Sequence, residues 1–229
     1  MELENLQKIV VRCRKCPRLV AYRQEVARQR PKRFQHWDYW ARPLPSFGDP
    51  SARVLIVGLA PAAHGGNRTG RMFTGDRSGE WLFETLYRFG FANRPRSERS
   101  DDGFALRDAY ITATIRCAPP ENKPLPEEIE NCRPYFLKEL DLLKDAKTIV
   151  PLGRIAFTQT VKSLKDKGTE IPSLAFGHGK VYRLLNGLTL VGSYHPSQRN
   201  TQTRKLTRPM FYKVFRMARM KLEETPDWV

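Results

Sequence analysis

Apolar runs alternate with amphipathic stretches along most of the chain, and Gly, Pro or polar residues separate them. Three continuous apolar runs each predict a buried strand: "ARVLIVGLA", "AYITATI" and "KTIVPLG". Four other stretches have the apolar spacing of helices: "SGEWLFETLYRFGF", "PEEIENCRPYFLKELDLLKDA", "RIAFTQTVKSLK" and "RPMFYKVFRMARMKLEE". Strands that alternate with helices predict an α/β protein, a three-layer α/β/α sandwich with a central, largely parallel β-sheet.

Local signals mark where several of these elements begin or turn. Pro17 and Pro126 each suit the first turn of a helix. Ser78 is predicted to be the N-cap of the helix in "SGEWLFETLYRFGF", and Pro134 is expected to disturb the helix that contains it. Asn186-Gly187 predicts the turn of a β-hairpin. The Pro- and aromatic-rich stretch "PKRFQHWDYWARPLPSFGDP" is predicted to be an ordered loop on the core.

Length and hydropathy limit the organisation of the molecule. A chain of 229 residues can bury one sizeable core, so we expect a single domain over residues 1–229 with an N-terminal segment, 1–30, packed against it. There is no run of about 18 apolar residues, which excludes a transmembrane helix, and the N-terminus lacks the pattern of a signal peptide. We therefore expect a cytoplasmic protein that does not bind membranes. We also expect the protein to be a monomer.

The charge balance favours a polyanionic partner. Lys and Arg number 40 and Asp and Glu 24, which gives a formal net charge of +16. Cations that neutralise phosphates release condensed counterions, so this excess favours nucleic acid. A merely solubilising surface is the alternative interpretation.

The cysteines form two close pairs: Cys13 and Cys16, and Cys117 and Cys132. Two thiolates in a C-x-x-C pair can converge on one metal centre, and the second pair can complete a four-thiolate set. Free structural cysteines are the simplest alternative, and two disulfides would need an oxidising compartment. The spacing favours a metal site formed by the cysteines of segment 1–30 and the second cysteine pair. It does not decide between zinc and an iron–sulfur cluster.

The loops after the predicted strands carry the candidate chemistry, because ligands of parallel sheets sit beyond the carboxyl ends of the strands. The first loop, "GLAPAAHGGNRTGRMFTGD", matches neither the dinucleotide-binding glycine pattern nor the P-loop. The loops instead offer an aromatic face, amide edges, a histidine and a carboxylate: Phe73, Asn67, Asn122, His195 and Asp76. Such a set suits a flat heterocycle, and the net charge points to a base flipped out of DNA.

The first loop, the four cysteines with "CAPPENKP" and the closing "HPSQRNTQT" together resemble the family 5 ("b" type) uracil-DNA glycosylases. The resemblance runs in order from Cys13 to about Thr203. It implies the uracil-DNA glycosylase fold and a [4Fe–4S] cluster on the four cysteines. It also implies monofunctional hydrolysis of the N-glycosidic bond of uracil, and of other deaminated bases such as hypoxanthine, in DNA, which initiates base excision repair.

The resemblance also implies roles for individual residues. Phe73 matches the aromatic residue that stacks on the flipped base, and His195 matches the histidine beside the base O2. Further candidates for the base pocket are Gly58, Ala60, Ala62 and His64. The sequence leaves open whether His64 faces the site or only braces the loop. Ser197, Gln198 and Arg199 match the loop that approaches the DNA phosphates.

Departures from related glycosylases leave two further candidates. Leu59 and Ala60 stand where other families place a polar or acidic residue, and Ala113 stands where "a" type relatives carry a base-reading Asn. Asp76 is therefore the candidate for orienting water and stabilising the cationic sugar, although it could simply lie near a helix start and stabilise the helix dipole. Asn122 is the candidate for a polar contact to the base or water, although it could be only a turn residue.

Two other classes of protein remain open. A non-catalytic nucleic-acid-binding module with a four-cysteine zinc site would explain the charge and the cysteines but not the strand-end loops. A nucleotide-binding α/β enzyme is opposed by the missing phosphate motifs. His36 and His178 have no motif support and are predicted to be structural or surface residues.

Overall fold

A computed structural model describes residues 2–223 of the chain. The helices are α1 (Leu3–Val10), α2 (Pro17–Arg28), α3 (Gly66–Thr69), α4 (Arg77–Arg88), α5 (Pro126–Leu142), α6 (Arg154–Asp166), α7 (Gln198–Gln202) and α8 (Arg208–Glu223). The strands are β1 (Phe47–Gly48), β2 (Val54–Gly58), β3 (Ala109–Ala113), β4 (Thr148–Pro151), β5 (Val181–Arg183) and β6 (Thr189–Val191). Short 3-10 turns cover Lys32–Phe34 and Pro120–Asn122.

The six strands form one sheet in the order β1-β3-β2-β4-β6-β5. The four inner strands are parallel, whereas β1 and β5 pair antiparallel at the two edges. The carboxyl ends of β3, β2, β4 and β6 therefore open onto the same side of the molecule. The predicted α/β architecture with a largely parallel sheet is confirmed.

Successive side chains of the inner strands point to opposite faces of the sheet, as the pleat requires. Val54 and Ile56 of β2 pack into an apolar core with α4 and α8, whereas Leu55 and Val57 pack into a second core with α5 and α6. Helices thus cover both faces. This explains why β2 is a continuous apolar run, since both of its faces are buried.

Most of the local signals act as predicted. Pro17 and Pro126 stand at the starts of α2 and α5, and the Asn186-Gly187 turn joins β5 to β6. Pro134 lies inside α5 without ending it, so the expected disturbance does not interrupt the helix.

The predicted N-cap of α4 is wrong. Asp76, not Ser78, is the N-cap: its backbone is extended, and its Oδ1 accepts a hydrogen bond from the Gly79 amide at 2.8 Å. Ser78 already lies within the first turn of α4, which begins at Arg77. Both residue types cap helices well, so backbone conformation decides between them.

The N-terminal segment contacts the sandwich through α1, which packs against α5. Gln7 of α1 donates a hydrogen bond to Glu139 of α5 at 2.9 Å. Glu139 also forms an ion pair with Arg116, and both side chains are almost completely buried. A buried pair of this kind is costly to break, because the remaining charge would be left without a partner.

Within residues 2–223, none of the helices combines the length and apolar character needed to cross a membrane.

Candidate active site

The loop after β2 is held against the chain that follows β3. Gly58 at the end of β2 is in register with Ala113 at the end of β3. Beyond them, the Thr114 amide donates to the Gly58 carbonyl at 3.0 Å, and the Ile115 amide donates to the Leu59 carbonyl at 2.9 Å. The two strand ends therefore form one continuous floor. Ala113 is buried in this floor, in the core that also contacts Phe73.

Two glycines make room for Phe73. A Cβ atom at Gly58 would lie 3.0 Å from the Phe73 ring, and one at Gly79 would lie 1.5 Å from the Phe73 carbonyl oxygen. Phe73 itself has a φ of 56°, in the left-handed region that is unfavourable for a bulky residue. Strain of this kind persists only where the surroundings impose it, and it is concentrated at functional sites. Its half-buried ring lies over the carboxyl end of β2.

His195 follows β6 and lies beside Phe73. The two ring centroids are 6.0 Å apart, and the ring planes are inclined by 29°. Burial lowers the pKa of His195 to about 4. The imidazole is therefore neutral at neutral pH and can donate one N–H hydrogen bond.

Asp76 lies at the far end of the first loop, next to Gly65. Its Oδ1 caps α4, and a Cβ atom at Gly65 would stand only 2.5 Å from its Oδ2. Burial raises the pKa of Asp76, while hydrogen bonds from the backbone of Gly79 and Ser78 lower it. The carboxylate is thus held closely by the loop and by the helix start.

His64 packs among aromatic side chains. Its Nδ1 is hydrogen-bonded to the Tyr39 hydroxyl at 3.1 Å, and the rings of Phe34 and Tyr39 are its neighbours. Burial lowers the pKa of His64, and Arg33 and Arg68 lower it further. These contacts brace the loop against the segment around residues 34–39.

Two buried arginines of the first loop were not predicted as site residues. Arg68 donates to the His64 carbonyl at 2.8 Å and to the Gly75 carbonyl at 3.0 Å, so it ties the two halves of the loop together. Arg71 pairs with Asp102 at 2.7 Å and anchors the loop around residues 97–102. The letters "NRTGR" contain no signal for these contacts, since the partners of Arg71 lie up to 31 positions away.

The remaining candidates lie at the surface. Ser197 is the N-cap of α7, with its Oγ accepting from the Asn200 amide at 3.3 Å, and Gln198 and Arg199 are exposed. Asn122 is exposed on a turn with a φ of 57°. Its side chain has no hydrogen bond to any other residue in the part of the chain that is described, and it is exposed, whereas Phe73 and His195 are half-buried.

The four cysteines surround one cavity. All of them contribute to its lining, together with Arg23 and other residues of the N-terminal segment. Arg23 donates from Nη1 to the Cys117 sulfur at 2.8 Å. Burial raises the pKa of Cys117 to about 12 and that of Cys132 to about 11. Between Glu2 and Glu223, no three His, Cys, Asp or Glu side chains converge closely enough to share a single metal ion.

The cysteine cavity lies behind the first loop. Ala60 packs against the apolar group that contains Cys117 and Cys132. The Asn67 side chain, which is completely buried, donates to the Arg23 carbonyl at 3.1 Å. The base-pocket loop and the cysteine site therefore share supporting residues.

Comparisons with known proteins agree with this geometry. The family model of the uracil DNA glycosylase superfamily matches residues 45–219. The type-5 uracil-DNA glycosylase of Thermus thermophilus is 47% identical over 219 residues, which is 96% of this chain and 98% of that protein. The type-5 enzyme of Pyrobaculum aerophilum is 45% identical over 91% of this chain and 88% of its own length. A type-4 enzyme of Pyrobaculum aerophilum is 29% identical over 86% and 84%, respectively.

Proposed function

Because this chain belongs to the uracil DNA glycosylase superfamily and acts as a uracil-DNA glycosylase in DNA repair, we propose that it hydrolyses the N-glycosidic bond with the residues around the Phe73–His195 pair. The observation that carries this proposal is the position of the His195 imidazole beside the Phe73 ring, with the two ring centroids 6.0 Å apart at the end of the sheet. A non-catalytic zinc module is set aside by the family membership.

Base recognition is assigned to the floor and to Phe73. The flipped base stacks on the Phe73 ring, which lies directly over Gly58. Backbone groups of Gly58, Ala60 and Ala62 line the edge of the pocket, and His64 braces it through Tyr39. Stacking is tolerant of base identity because every base has a π-face. This tolerance supports our proposal that hypoxanthine is removed as well as uracil.

Leaving-group stabilisation is assigned to His195. When the base is uracil, negative charge develops on its O2 as the glycosidic bond breaks, and the neutral imidazole donates an N–H hydrogen bond to this oxygen. A preorganised donor of this type contributes roughly 3 kcal/mol to transition-state stabilisation in other enzymes. The lowered pKa keeps the imidazole in this neutral form over the whole physiological range.

Water activation and stabilisation of the sugar cation are assigned to Asp76. Its Oδ1 is engaged in the helix cap, so Oδ2, on the side of Gly65, orients the water. Asn122 is assigned a polar contact to the base or to that water. The only lysine of the motif segments is Lys123, which supports a monofunctional glycosylase without a Schiff-base step.

The four cysteines are proposed to hold a [4Fe–4S] cluster. Four thiols around one cavity suit a group with several metal atoms, each of which takes one ligand. A single zinc ion would instead require four sulfurs at about 2.3 Å from one point. When bound, the cluster would cross-link the segment between α1 and α2, the segment after β3, and α5. Iron and acid-labile sulfide analysis distinguishes this proposal from zinc.

DNA contact outside the pocket is assigned to Ser197, Gln198 and Arg199, which are at or near the surface after β6. One chain carries every residue of the assigned site, which supports our proposal that the protein acts as a monomer. The reducing cytoplasm, where we propose that it works, would keep the cysteines available for ligation.

The test is single-turnover excision on duplexes that carry one uracil or one hypoxanthine, with and without alkaline cleavage of the product. We expect abasic product from both duplexes and strand breaks only after alkali. Strand breaks without alkali would contradict the monofunctional mechanism. An uncut hypoxanthine duplex would restrict the substrate range to uracil.

A further inference from the structure

Arginine and aromatic side chains alternate beside the base pocket. We call this group the arginine–aromatic ladder, and it consists, in order of contact, of Arg33, Phe34, Arg68, Trp37 and Arg99. The Arg33 guanidinium lies 4.8 Å from the Phe34 ring centroid. That of Arg68 lies 4.1 Å from Phe34 and 4.0 Å from Trp37, and that of Arg99 lies 5.1 Å from Trp37. Three cations are thus ordered by two rings.

The central member joins the ladder to the pocket. Arg68 is only 4% exposed, and its hydrogen bonds go to the carbonyl groups of His64 and Gly75. Gly75 directly precedes Asp76. The position of the Arg68 guanidinium therefore depends both on the ladder and on the loop that carries the proposed catalytic carboxylate.

The two outer arginines face solvent. Arg33 is exposed, and the side chain of Arg99 is 61% exposed. The only ion pair of Arg99 among the described residues is with Asp101, which is itself 73% exposed, and exposed pairs of this kind contribute little. A guanidinium whose face rests on an aromatic ring keeps its N–H edges free, and these match a phosphate bidentately.

We propose that the arginine–aromatic ladder is a phosphate-binding surface that grips the DNA backbone beside the flipped nucleotide, with Arg33 and Arg99 as the phosphate ligands. The proposal rests on the glycosylase function and extends its DNA contacts beyond Ser197–Arg199. The net charge of +16 supports a DNA backbone as the occupant. Since the rings order the cations before DNA arrives, little conformational entropy is lost on binding.

The first test is equilibrium binding of Arg33→Ala/Arg99→Ala to a duplex with 2′-fluorinated deoxyuridine, which resists cleavage, over a range of salt concentrations. We expect about tenfold weaker binding and a slope of log K against log salt that is smaller by about 1.8, since each phosphate contact contributes about 0.9. The matched control is Lys144→Ala/Lys165→Ala, which removes two exposed lysines, one in the segment before β4 and one at the end of α6. An affinity and slope equal to those of this control would overturn the proposal.

A second variant separates ordered guanidinium groups from charge alone. Arg33→Lys/Arg99→Lys keeps both charges but removes the planar groups that lie over the rings. We expect it to bind the same duplex several-fold more weakly than the wild type. Wild-type affinity for this variant would reduce the ladder to a general basic surface and would overturn the proposal.

Failure of the glycosylase function would be recognised separately. A wild-type protein that leaves uracil duplexes uncut would contradict the function itself. If the wild-type protein cuts them but Arg33→Ala/Arg99→Ala binds DNA like the lysine control, only the phosphate-binding role of the arginine–aromatic ladder is contradicted.

Discussion

The Phe73 ring and the His195 imidazole lie with centroids 6.0 Å apart and planes inclined by 29°, although the two residues are 122 positions apart in sequence. Phe73 is seated by glycines at the end of β2 and the start of α4. His195 comes from the loop after β6. The parallel sheet brings these loops to one edge, so the stacking surface and the hydrogen-bond donor depend on the same strand ends.

Replacing His195 with Ala removes the donor to the base oxygen. We expect the single-turnover excision rate to fall about 100-fold, the lower end of the effect of losing one oxyanion donor, while DNA affinity stays close to wild type. His36→Ala is the matched control, because His36 is exposed and is assigned no role in the site. A His195→Ala rate equal to that of this control would remove His195 from the mechanism.

Substitution of Asp76 separates its two roles. Asn is as good an N-cap as Asp, so Asp76→Asn should keep the stability and DNA binding but lose most single-turnover cleavage. Asp76→Ala should lose cleavage and, in addition, about 1 kcal/mol of unfolding free energy with the cap. The measurements are rapid-quench excision and urea unfolding of both variants. Full cleavage by Asp76→Asn would leave Asp76 as a helix cap only.

Gly65→Ala tests the carboxylate position without changing the carboxylate. The new Cβ would stand 2.5 Å from Oδ2 of Asp76, so the carboxylate must move, and we expect at least a tenfold slower excision by analogy with other misplaced catalytic groups. Gly177→Ala is the control, since the atoms nearest to its Cβ would belong to the flexible Lys180 side chain. Equal excision rates for the two variants would show that the Gly65 contact does not position Asp76.

The depressed pKa of His195 predicts a pH-dependent stability. The unfolded state takes up a proton near pH 6.5, whereas the folded state does so only near pH 4. The contribution of His195 to stability is therefore full above pH 6.5 and declines as the pH falls from 6.5 towards 4.

Urea unfolding at pH 7 and pH 5 measures this effect. Between pH 7 and pH 5, the free energy of unfolding of His195→Gln should fall by about 1–2 kcal/mol less than that of the wild type. The reason is that one pKa unit corresponds to 1.36 kcal/mol. The difference between the two proteins isolates His195 from His64 and His178, whose pKa values are also lowered. Parallel pH profiles would contradict the buried neutral state.

Arg23 should stabilise the proposed cluster. Its Nη1 donates to the Cys117 sulfur at 2.8 Å, and outer hydrogen bonds to metal ligands are typically worth 10–100-fold in metal affinity. We expect Arg23→Leu to release iron at least tenfold faster to a chelator. Arg28→Leu, an exposed position on the same helix, is the control. Equal release rates would show that this hydrogen bond does not retain the metal.

Much of the fold could be predicted from local patterns. The apolar runs of β2, β3 and β4, the proline starts of α2 and α5 and the turn between β5 and β6 depend on residues close in sequence. The strand β1 could not be predicted, since two residues have no periodicity. The N-cap of α4 was misassigned to Ser78 because Ser and Asp cap equally well, and only the extended backbone at Asp76 distinguishes them.

By itself, the sequence determined the alternation of elements, the basic charge, the paired cysteines and the motif letters that identify Phe73, Asp76 and His195 as candidates. Only the tertiary structure decided which distant residues hold these side chains in place. Arg23 contacts a sulfur 94 positions away, and Arg68 lies between rings from a segment about 30 residues earlier. Propensity, capping and turns act over a few residues, whereas burial and hydrogen bonding between distant segments depend on the strand order, which brings them together only in the folded chain.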